Sequence, residues 1–450
     1  MIDNIETIAA IATPPGTGGI GVIRVSGPLA STIYTSITNK EPDPKTFKFT
    51  AFKDSNGSTL DRGLALYFSA PASYTGEDIV ELQGHGGQVV LSLLLKEVIH
   101  LGARLAKPGE FTERAFLNNK LDLVQAEAVS DLISSSSEQA ARSAMRSLEG
   151  KFSKRINALL EELIRIRVFI EGALDFPEEE IDFISESDVE ERIEKCVQSL
   201  REILVKAKSG NVLKEGVKVT IIGAPNVGKS SLLNALSQSD KAIVTDTPGT
   251  TRDLIEDNIL IEGIRLNITD TAGIRKTDNN IEKEGIKRAE IAAQQADLLL
   301  LVWDANGTQD QQHKDLSFAG SAKIINIYNK IDLAGLKTKT TTSEDGSPEV
   351  YLSVKTGDGM ELLYSLIKKA IAYEDTSEDV FSSRRRHIEA LSLTKELLSK
   401  ICSEFEIRRT APELIAEDLH QAQKQLETIT GVTTADDLLG EIFANFCIGK

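Results

Sequence analysis

The sequence predicts a multidomain protein of mixed α/β and α class, with an N-terminal α+β domain and a helical domain. A doubly wound P-loop domain is inserted into the helical one. Three observations predict this. The chain has 450 residues, more than a single hydrophobic core organises. Gly223-Ala224-Pro225-Asn226-Val227-Gly228-Lys229-Ser230 fits the pattern G-x-x-x-x-G-K-[ST], between an apolar strand candidate and a helix candidate. Long stretches with helical apolar spacing stand on both sides of a region that alternates strand and helix.

Composition narrows the class. The chain is 41% hydrophobic and 26% charged, as in an ordinary soluble protein. A net charge of −17 argues against broad nonspecific nucleic-acid binding, because no global cationic field attracts phosphates; a local basic patch stays open. Cys196, Cys402 and Cys447 are widely separated and show neither metal-ligand spacing nor a disulfide framework. The first residues, Met1-Ile2-Asp3-Asn4-Ile5-Glu6, are acidic where a signal peptide is basic, and no apolar run approaches the length of a membrane span. The expectation is a cytoplasmic protein.

Residues 1–118 form the α+β unit. Ile20–Val25, Arg62–Phe68 and Ile79–Leu82 have strand patterning, and Val89–Leu101 has helical spacing that stops at Gly102. The glycines of Gly16-Thr17-Gly18-Gly19-Ile20-Gly21 precede a strand, so a dinucleotide fingerprint fails its own context there. Gly84-His85-Gly86-Gly87 is either a tight turn or an anion-binding helix start.

Residues 119–215 are the first part of the helical domain. Leu121, Val124, Ala128 and Leu132 share one face; Ile156, Leu159, Leu163, Ile166 and Ile170 share another. Asp175-Phe176-Pro177-Glu178-Glu179-Glu180 interrupts the helices, which resume over residues 188–206. Residues 216–375 carry strand candidates at 217–222, 259–261, 265–269, 297–303, 323–328 and 350–353, with Lys337–Pro348 as a surface loop. Residues 376–450 return to helix, as expected when a domain is inserted at an exposed loop.

The chemistry concentrates in the inserted domain. The glycines of the loop turn backbone N–H groups around phosphate oxygens, and the next helix adds its dipole. Lys229 would reach the β- and γ-phosphates, and Ser230, followed by Ser231, would ligate Mg²⁺. Asp270-Thr271-Ala272-Gly273 follows a hydrophobic strand: Asp270 belongs at Mg²⁺, and the Gly273 N–H at the γ-phosphate. In Asn329-Lys330-Ile331-Asp332, the Asp332 carboxylate can accept two hydrogen bonds from guanine, a donor pair adenine lacks. Ser353-Val354-Lys355 supplies the matching base-side loop. Four such segments, in order and at strand ends, predict a nucleoside triphosphatase acting on GTP.

These segments resemble the translation-factor-like class of P-loop GTPases. Thr245-Asp246-Thr247-Pro248-Gly249-Thr250-Thr251-Arg252-Asp253 sharpens the resemblance to the MnmE (TrmE) family of tRNA-modification GTPases. So do Gly16–Arg24, Asn118–Leu123 and the terminal Phe446-Cys447-Ile448-Gly449-Lys450, and the resemblance covers the whole chain. Ile274 stands where many GTPases carry a water-orienting Gln, so another catalytic device is needed. The resemblance implies K⁺, held by Asn226 with oxygens of Thr245, Thr247 and Thr250; the plainer alternative is that Asn226 only ties down the loop. Thr251 would be the switch ligand to Mg²⁺. Glu282 is carried over as the residue that orients or deprotonates the attacking water, and Arg252 and Arg275 either steady the switches or make surface ion pairs.

For residues 1–118 the family implies a tetrahydrofolate-binding and dimerisation domain. Arg24, Glu81 and Lys120, with Lys450 of the tail, match its contacts to 5,10-methylene- or 5-formyl-tetrahydrofolate; without the resemblance, Arg24 and Glu81 are ordinary strand-face charges. Cys447 has two readings, a buried structural cysteine or a nucleophile beside the one-carbon donor; Lys450 argues against prenylation of the C-a-a-X tail. The implied function is K⁺-activated GTP hydrolysis by a homodimer. With the FAD-binding partner MnmG, it would add an aminomethyl or carboxymethylaminomethyl group to C5 of the wobble uridine (position 34) of certain tRNAs. The alternative is a regulatory GTPase of ribosome assembly, for which the Arg384–Arg386 and Arg408–Arg409 clusters are a meagre RNA-binding appendage.

Overall fold

The structure is a computed structural model that describes residues 6–44, 46–175, 188–237, 242–244, 256–261, 264–270, 294–307, 322–371, 380–432, 436–444, 446 and 449. The chain forms two compact units. One takes Met1–Ser130, Ser147–Val197 and Leu393–Lys450; the other takes Asp131–Arg146 and Gln198–Ser392.

The chain begins with β1 (Ile8–Ile11), β2 (Gly18–Ser26), α1 (Ala30–Thr38), β3 (Lys48–Lys53), β4 (Thr59–Phe68), β5 (Ile79–Gly86), α2 (Gln88–His100), β6 (Arg104–Leu105) and α3 (Glu110–Leu117). Helices α4 (Leu123–Ile133), α5 (Glu138–Leu148), α6 (Lys151–Asp175) and α7 (Val189–Glu215) follow. Then come β7 (Val217–Ile222), α8 (Lys229–Ser237), β8 (Ala242–Val244), β9 (Glu256–Ile261), β10 (Ile264–Asp270), β11 (Leu298–Asp304), β12 (Lys323–Asn329), α9 (Ile331–Ala334), β13 (Lys339–Thr342), β14 (Pro348–Tyr351) and α10 (Met360–Ala370). The chain closes with α11 (Arg385–Ser403), α12 (Phe405–Arg408), α13 (Pro412–Thr430) and α14 (Asp436–Ala444).

In the first unit the strands form one sheet in the order β3-β4-β5-β2-β1-β6. Alternation on β2 and β5 sends Ile23, Val25, Val80 and Leu82 into a core with Ile33, Tyr34, Ile37, Leu94 and Val98 of α1 and α2. The opposite face carries Arg24, directly across from Glu81 in the β2–β5 register. Of the glycines at 16–21, Gly16 lies in the connection from β1 to β2, and Gly18, Gly19 and Gly21 lie in β2 itself, which runs antiparallel to β1. No helix follows them, so the rejection of a dinucleotide fingerprint stands. Gly84-His85-Gly86 is neither a turn nor a helix start: it continues β5, and Gly87 alone precedes α2. The reason is tertiary. Asp61 of β4 accepts the His85 backbone N–H at 2.8 Å and receives its ring Nδ1 at 2.7 Å, which keeps the strand extended.

The stripe Ile156, Leu159, Leu163, Ile166 and Ile170 is buried along α6, which packs on α13 through Ile415, Leu419, Ala422, Leu426 and Ile429. Pro412 in the first turn and Gly431, with φ 86°, bound α13 at its two ends.

In the second unit the sheet order is β13-β14-β12-β11-β7-β10-β9-β8. The five strands from β14 to β10 are parallel; β13 pairs antiparallel with β14 at one edge, and β9 pairs antiparallel with both β10 and β8, the other edge. Hydrophobic runs such as Leu298–Val302 are buried throughout, as strands covered on both faces require. The expected surface loop Lys337–Pro348 instead forms the edge hairpin β13–β14. Its four β13 residues are all exposed, so no alternation of apolar residues announces the strand.

Candidate functional site

The phosphate loop emerges from β7, the strand flanked by β11 and β10. Gly223 lies so close to β11 that a Cβ there would collide with the Val302 carbonyl. The loop then takes two positive-φ residues, Asn226 at 64° and Gly228 at 105°, and α8 starts at Lys229. A backbone of this kind turns successive N–H groups toward one point, as the first amides of a helix do. Val227 is buried and anchors the loop from below. Lys229 Nζ arches over it, donating to the carbonyls of Gly223 at 2.7 Å and Ala224 at 2.9 Å. Ser230 and Ser231 are exposed in the first turn of α8.

The base loop is bolted to the phosphate loop by side chains. Asn329, at the end of β12, is 3% exposed. Its Nδ2 donates to Val227 O at 2.9 Å, and its Oδ1 accepts the amides of Lys330 at 2.8 Å and Val354 at 3.0 Å. One amide thus ties three loops together. Lys330 sits at φ 67°, and its Nζ donates to Asn226 O and to Asp304 Oδ2, both at 2.7 Å. Asp332 is exposed in α9 and accepts the hydroxyl of buried Ser353 at 2.7 Å, while Lys355 is exposed on the same loop.

Asp270 ends β10 in parallel register with Ile221, two residues before Gly223, so its backbone stands beside the phosphate loop; its side chain lies outside the described residues. Also outside them are Thr245, Asp246, Thr247, Pro248, Gly249, Thr250, Thr251, Arg252, Thr271, Ala272, Gly273, Ile274, Arg275, Glu282, Cys447 and Lys450.

A second constellation stands on the N-terminal sheet. Arg24 and Glu81 pair at 2.8 Å, each side chain 16% exposed. The Arg24 guanidinium lies 5.6 Å from the ring centre of Tyr74 and 5.7 Å from that of Phe111, and Nη1 points to Gly449 O at 3.5 Å. Burial raises the pKa of the Tyr74 phenol, outweighing its hydrogen bond with Thr112 and the charge of Arg24. Gly449, φ 92°, packs on the end of β1, where a Cβ would stand 2.6 Å from Ile11 O. Lys120 does not join the Arg24–Glu81 pair. Its Nζ donates to Pro71 O at 2.7 Å, on the β4–β5 loop that also carries Tyr74. Behind this site Arg104 and Arg114 both hold Glu110, at 2.6 and 3.0 Å. Burial alone would raise the Glu110 carboxyl, but Arg104, the Lys107 amide and Arg114 outweigh it and bring it down to about 2.

A family profile described as the MnmE helical domain matches residues 123–447, and one described as the GTP-binding protein TrmE N-terminus matches residues 7–120. A tRNA modification GTPase MnmE of Coxiella burnetii (strain Dugway 5J108-111) is 51% identical over 450 residues, covering 99% of both chains. The chain belongs to the MnmE family. Other members so named are the proteins of Pseudomonas paraeruginosa, 50% identical over 99% of both chains, and of Legionella pneumophila (strain Paris), 49% identical over 99% of this chain and 100% of its own. A solved structure of the G domain of a Thermotoga maritima FeoB iron transporter aligns with 34% of this chain and 98% of its own at 28% identity, with a TM-score of 0.26, too slight a likeness to argue from.

Motifs in the sequence pointed to the residues of the two nucleotide loops but missed Asp304, Tyr74, Phe111 and Gly449. The Lys330 ammonium, helped by the Asn306 amide, holds the Asp304 carboxyl below its ordinary value, so Asp304 is a fixed anion steering the base-loop lysine. In the sequence it is only an acidic residue at the end of a hydrophobic run; the structure sets it directly opposite Asn329 in the β11–β12 register.

Proposed function

We propose that the chain is a GTP-hydrolysing enzyme of tRNA modification. One observation carries this reading: likeness to relatives named as tRNA modification GTPases runs through 99% of both chains, including both nucleotide loops. The phosphate loop suits an anion, since its positive-φ residues, Lys229 and the start of α8 follow one another in one short segment, and Gly228 has no room for a side chain beside Asn329. Asp332, oriented by Ser353, accepts from the guanine edge, and Asn329 transmits the position of the base loop to the phosphate loop. Ser230, at the helix start, is assigned to Mg²⁺, as are Thr251 and Asp270. Bound beside the phosphates, Mg²⁺ and K⁺ would offset charge that develops as the terminal phosphate departs. Asn226, exposed on the loop rim with its backbone held by Lys330, is assigned to K⁺ together with Thr245, Thr247 and Thr250. Glu282 is assigned to the attacking water, and Arg252 and Arg275 to the switches.

The second half of the reading places a tetrahydrofolate one-carbon donor on the Arg24–Glu81 face. Polar and aromatic groups converge there, Arg24 and Glu81 with Tyr74 and Phe111, and they fit a ring with an amide-like edge. Gly449 at Arg24 supports the assignment of the tail residues Cys447 and Lys450 to the same place, while Lys120 acts by holding the β4–β5 loop. The chain works as a homodimer with FAD-binding MnmG on the wobble uridine of certain tRNAs, in the cytoplasm. Among the described residues no helix is long and apolar enough to cross a membrane.

The test is mass spectrometry of nucleosides from bulk tRNA with and without the gene. Aminomethyl-type C5 uridine modifications are expected to vanish and to return with wild type but not with Asp270→Ala. Unchanged uridines with abnormal ribosome profiles would overturn the reading in favour of an assembly GTPase. Equal GTP turnover in NaCl and KCl would remove the potassium assignment alone.

A further inference from the structure

Within the second unit, the segments leading into and out of the GTPase sheet meet at one buried carboxylate. Asp131, near the end of α4, is 7% exposed. Its Oδ2 accepts the Ser382 hydroxyl at 2.6 Å, and its Oδ1 accepts Arg384 Nη2 at 3.2 Å and lies 3.7 Å from Lys214 Nζ. Lys214 belongs to the last turn of α7, one residue pair before β7; Ser382 and Arg384 belong to the segment that leaves the sheet toward α11.

The outgoing segment is strapped along α7 at further points. The Ser383 hydroxyl donates to Ala207 O, Asn211 Nδ2 donates to Ser383 O at 3.4 Å, and the Ser382 amide donates to Ser143 O of α5 at 3.1 Å. Arg146 Nη1 donates to Val380 O at 2.8 Å. At Gly210 the approach is so close that a Cβ would overlap the Phe381 carbonyl. A mid-helix glycine ordinarily costs stability relative to alanine. Here it admits the strap.

We propose that Asp131 is a positioning residue that locks the two roots of the GTPase sheet into one joint, through which the nucleotide state is passed on. Helices α4, α5, α7 and α11 each begin or end at this joint and continue in sequence beyond the unit that contains it. A displacement of β7 on nucleotide exchange pulls on Lys214 and is shared at once with Ser382 and Arg384, because one carboxylate holds all three. With the carboxylate gone, the roots move independently and the signal stays in the nucleotide domain. Asp131 on α4 and Gly210 on α7 lie outside the phosphate and base loops, so hydrolysis itself does not need them. The consequence for tRNA chemistry rests on the function proposed above.

The experiment compares the full-length wild type with Asp131→Asn and Gly210→Ala. Hydrogen exchange is followed with GDP and with a non-hydrolysable GTP analogue, alongside GTP turnover and tRNA uridine modification. Wild type is expected to show nucleotide-dependent exchange in residues 123–130 and 393–403, outside the GTPase sheet. In both variants that response collapses, exchange at 380–384 speeds up, GTP turnover stays within about twofold, and modification falls about tenfold, a typical coupling magnitude. Asp131→Asn keeps the side chain's size and Gly210→Ala would favour an isolated helix, so the two unrelated changes fail alike only if the joint is real. A wild type without nucleotide-dependent exchange in those segments overturns the proposal. So do variants that transmit normally, or that lose turnover in step with modification. A wild type that leaves tRNA unmodified refutes the proposed function, while the exchange data still decide on the joint.

Discussion

The two candidate sites are built on opposite plans. The nucleotide site is made largely of backbone, with consecutive residues at strand ends, positive φ at Asn226 and Gly228, and a helix start aimed at one point. Side chains serve mainly to tie loops to each other, as Asn329 ties Val227 to Val354. The N-terminal site is made of side chains that meet from β2, β5, the β4–β5 loop and α3, with the Gly449 carbonyl of the tail beside them. A backbone site resists side-chain changes unless they alter φ or occupy the cradle. A side-chain site loses a contact with each truncation but keeps its frame.

The sharpest way to break this contrast is Gly228→Ala. The new Cβ meets Asn329 Nδ2 in a backbone region hostile to L side chains, so about 3 kcal/mol of strain is expected, or roughly a hundredfold loss of GTP affinity. Fluorescent-nucleotide titration measures it, and near-normal affinity would refute a backbone-built cradle. Asn329→Ala should come next. It leaves the Val227 carbonyl and the Val354 amide unpaired in a buried place, costing about 2–3 kcal/mol, read as a loss of nucleotide affinity with the N-terminal unit unchanged.

Glu110→Gln tests the other plan through pH. The native carboxyl sits at about 2 against an ordinary value of 4.5, so the ionised form contributes in full above 4.5 and the contribution drains away as pH falls toward 2. The variant should therefore be less stable than wild type by about 2 kcal/mol at pH 7 in urea denaturation. That gap should narrow on acidification below 4.5; a gap of constant size would mean that packing, not charge, holds Glu110. The smallest effect is expected from Glu81→Gln. Replacing the mostly buried ion pair with Arg24 by a neutral hydrogen bond costs about 1 kcal/mol of folding stability. Tetrahydrofolate binding, followed by calorimetry, should weaken while GTP turnover is untouched. A parallel loss of turnover would undo the assignment of separate roles to the two sites.

The same contrast explains what could be seen before the fold was known. A site built from consecutive backbone appears as a motif, so Gly223–Ser230, Asn329–Asp332 and Ser353–Lys355 were legible, and the structure brings them together. Asp304 was not, because a lone acidic residue after a hydrophobic strand acquires meaning only when Lys330 is placed within 2.7 Å of it. Tyr74, Phe111 and Gly449 are scattered over nearly the whole chain, and no local pattern links them. The hairpin β13–β14 escaped because a fully exposed edge strand has no apolar face to betray it. The extension of β5 through Gly84–Gly86 escaped because glycines argue for a turn until Asp61 is known to grip His85 from the next strand.

The sequence by itself determined the class of each region, the strand–loop–helix that carries the phosphate loop, and the buried stripe of α6. Each follows from a repeat or motif within a few turns of chain, where geometry is local. Only the tertiary structure decided which charges meet: Arg24 with Glu81, Lys330 with Asp304, and Asp131 with Lys214, Ser382 and Arg384. Coulomb and hydrogen-bond energies depend on distances of a few ångströms between residues up to 253 positions apart, and the folded chain alone sets those distances.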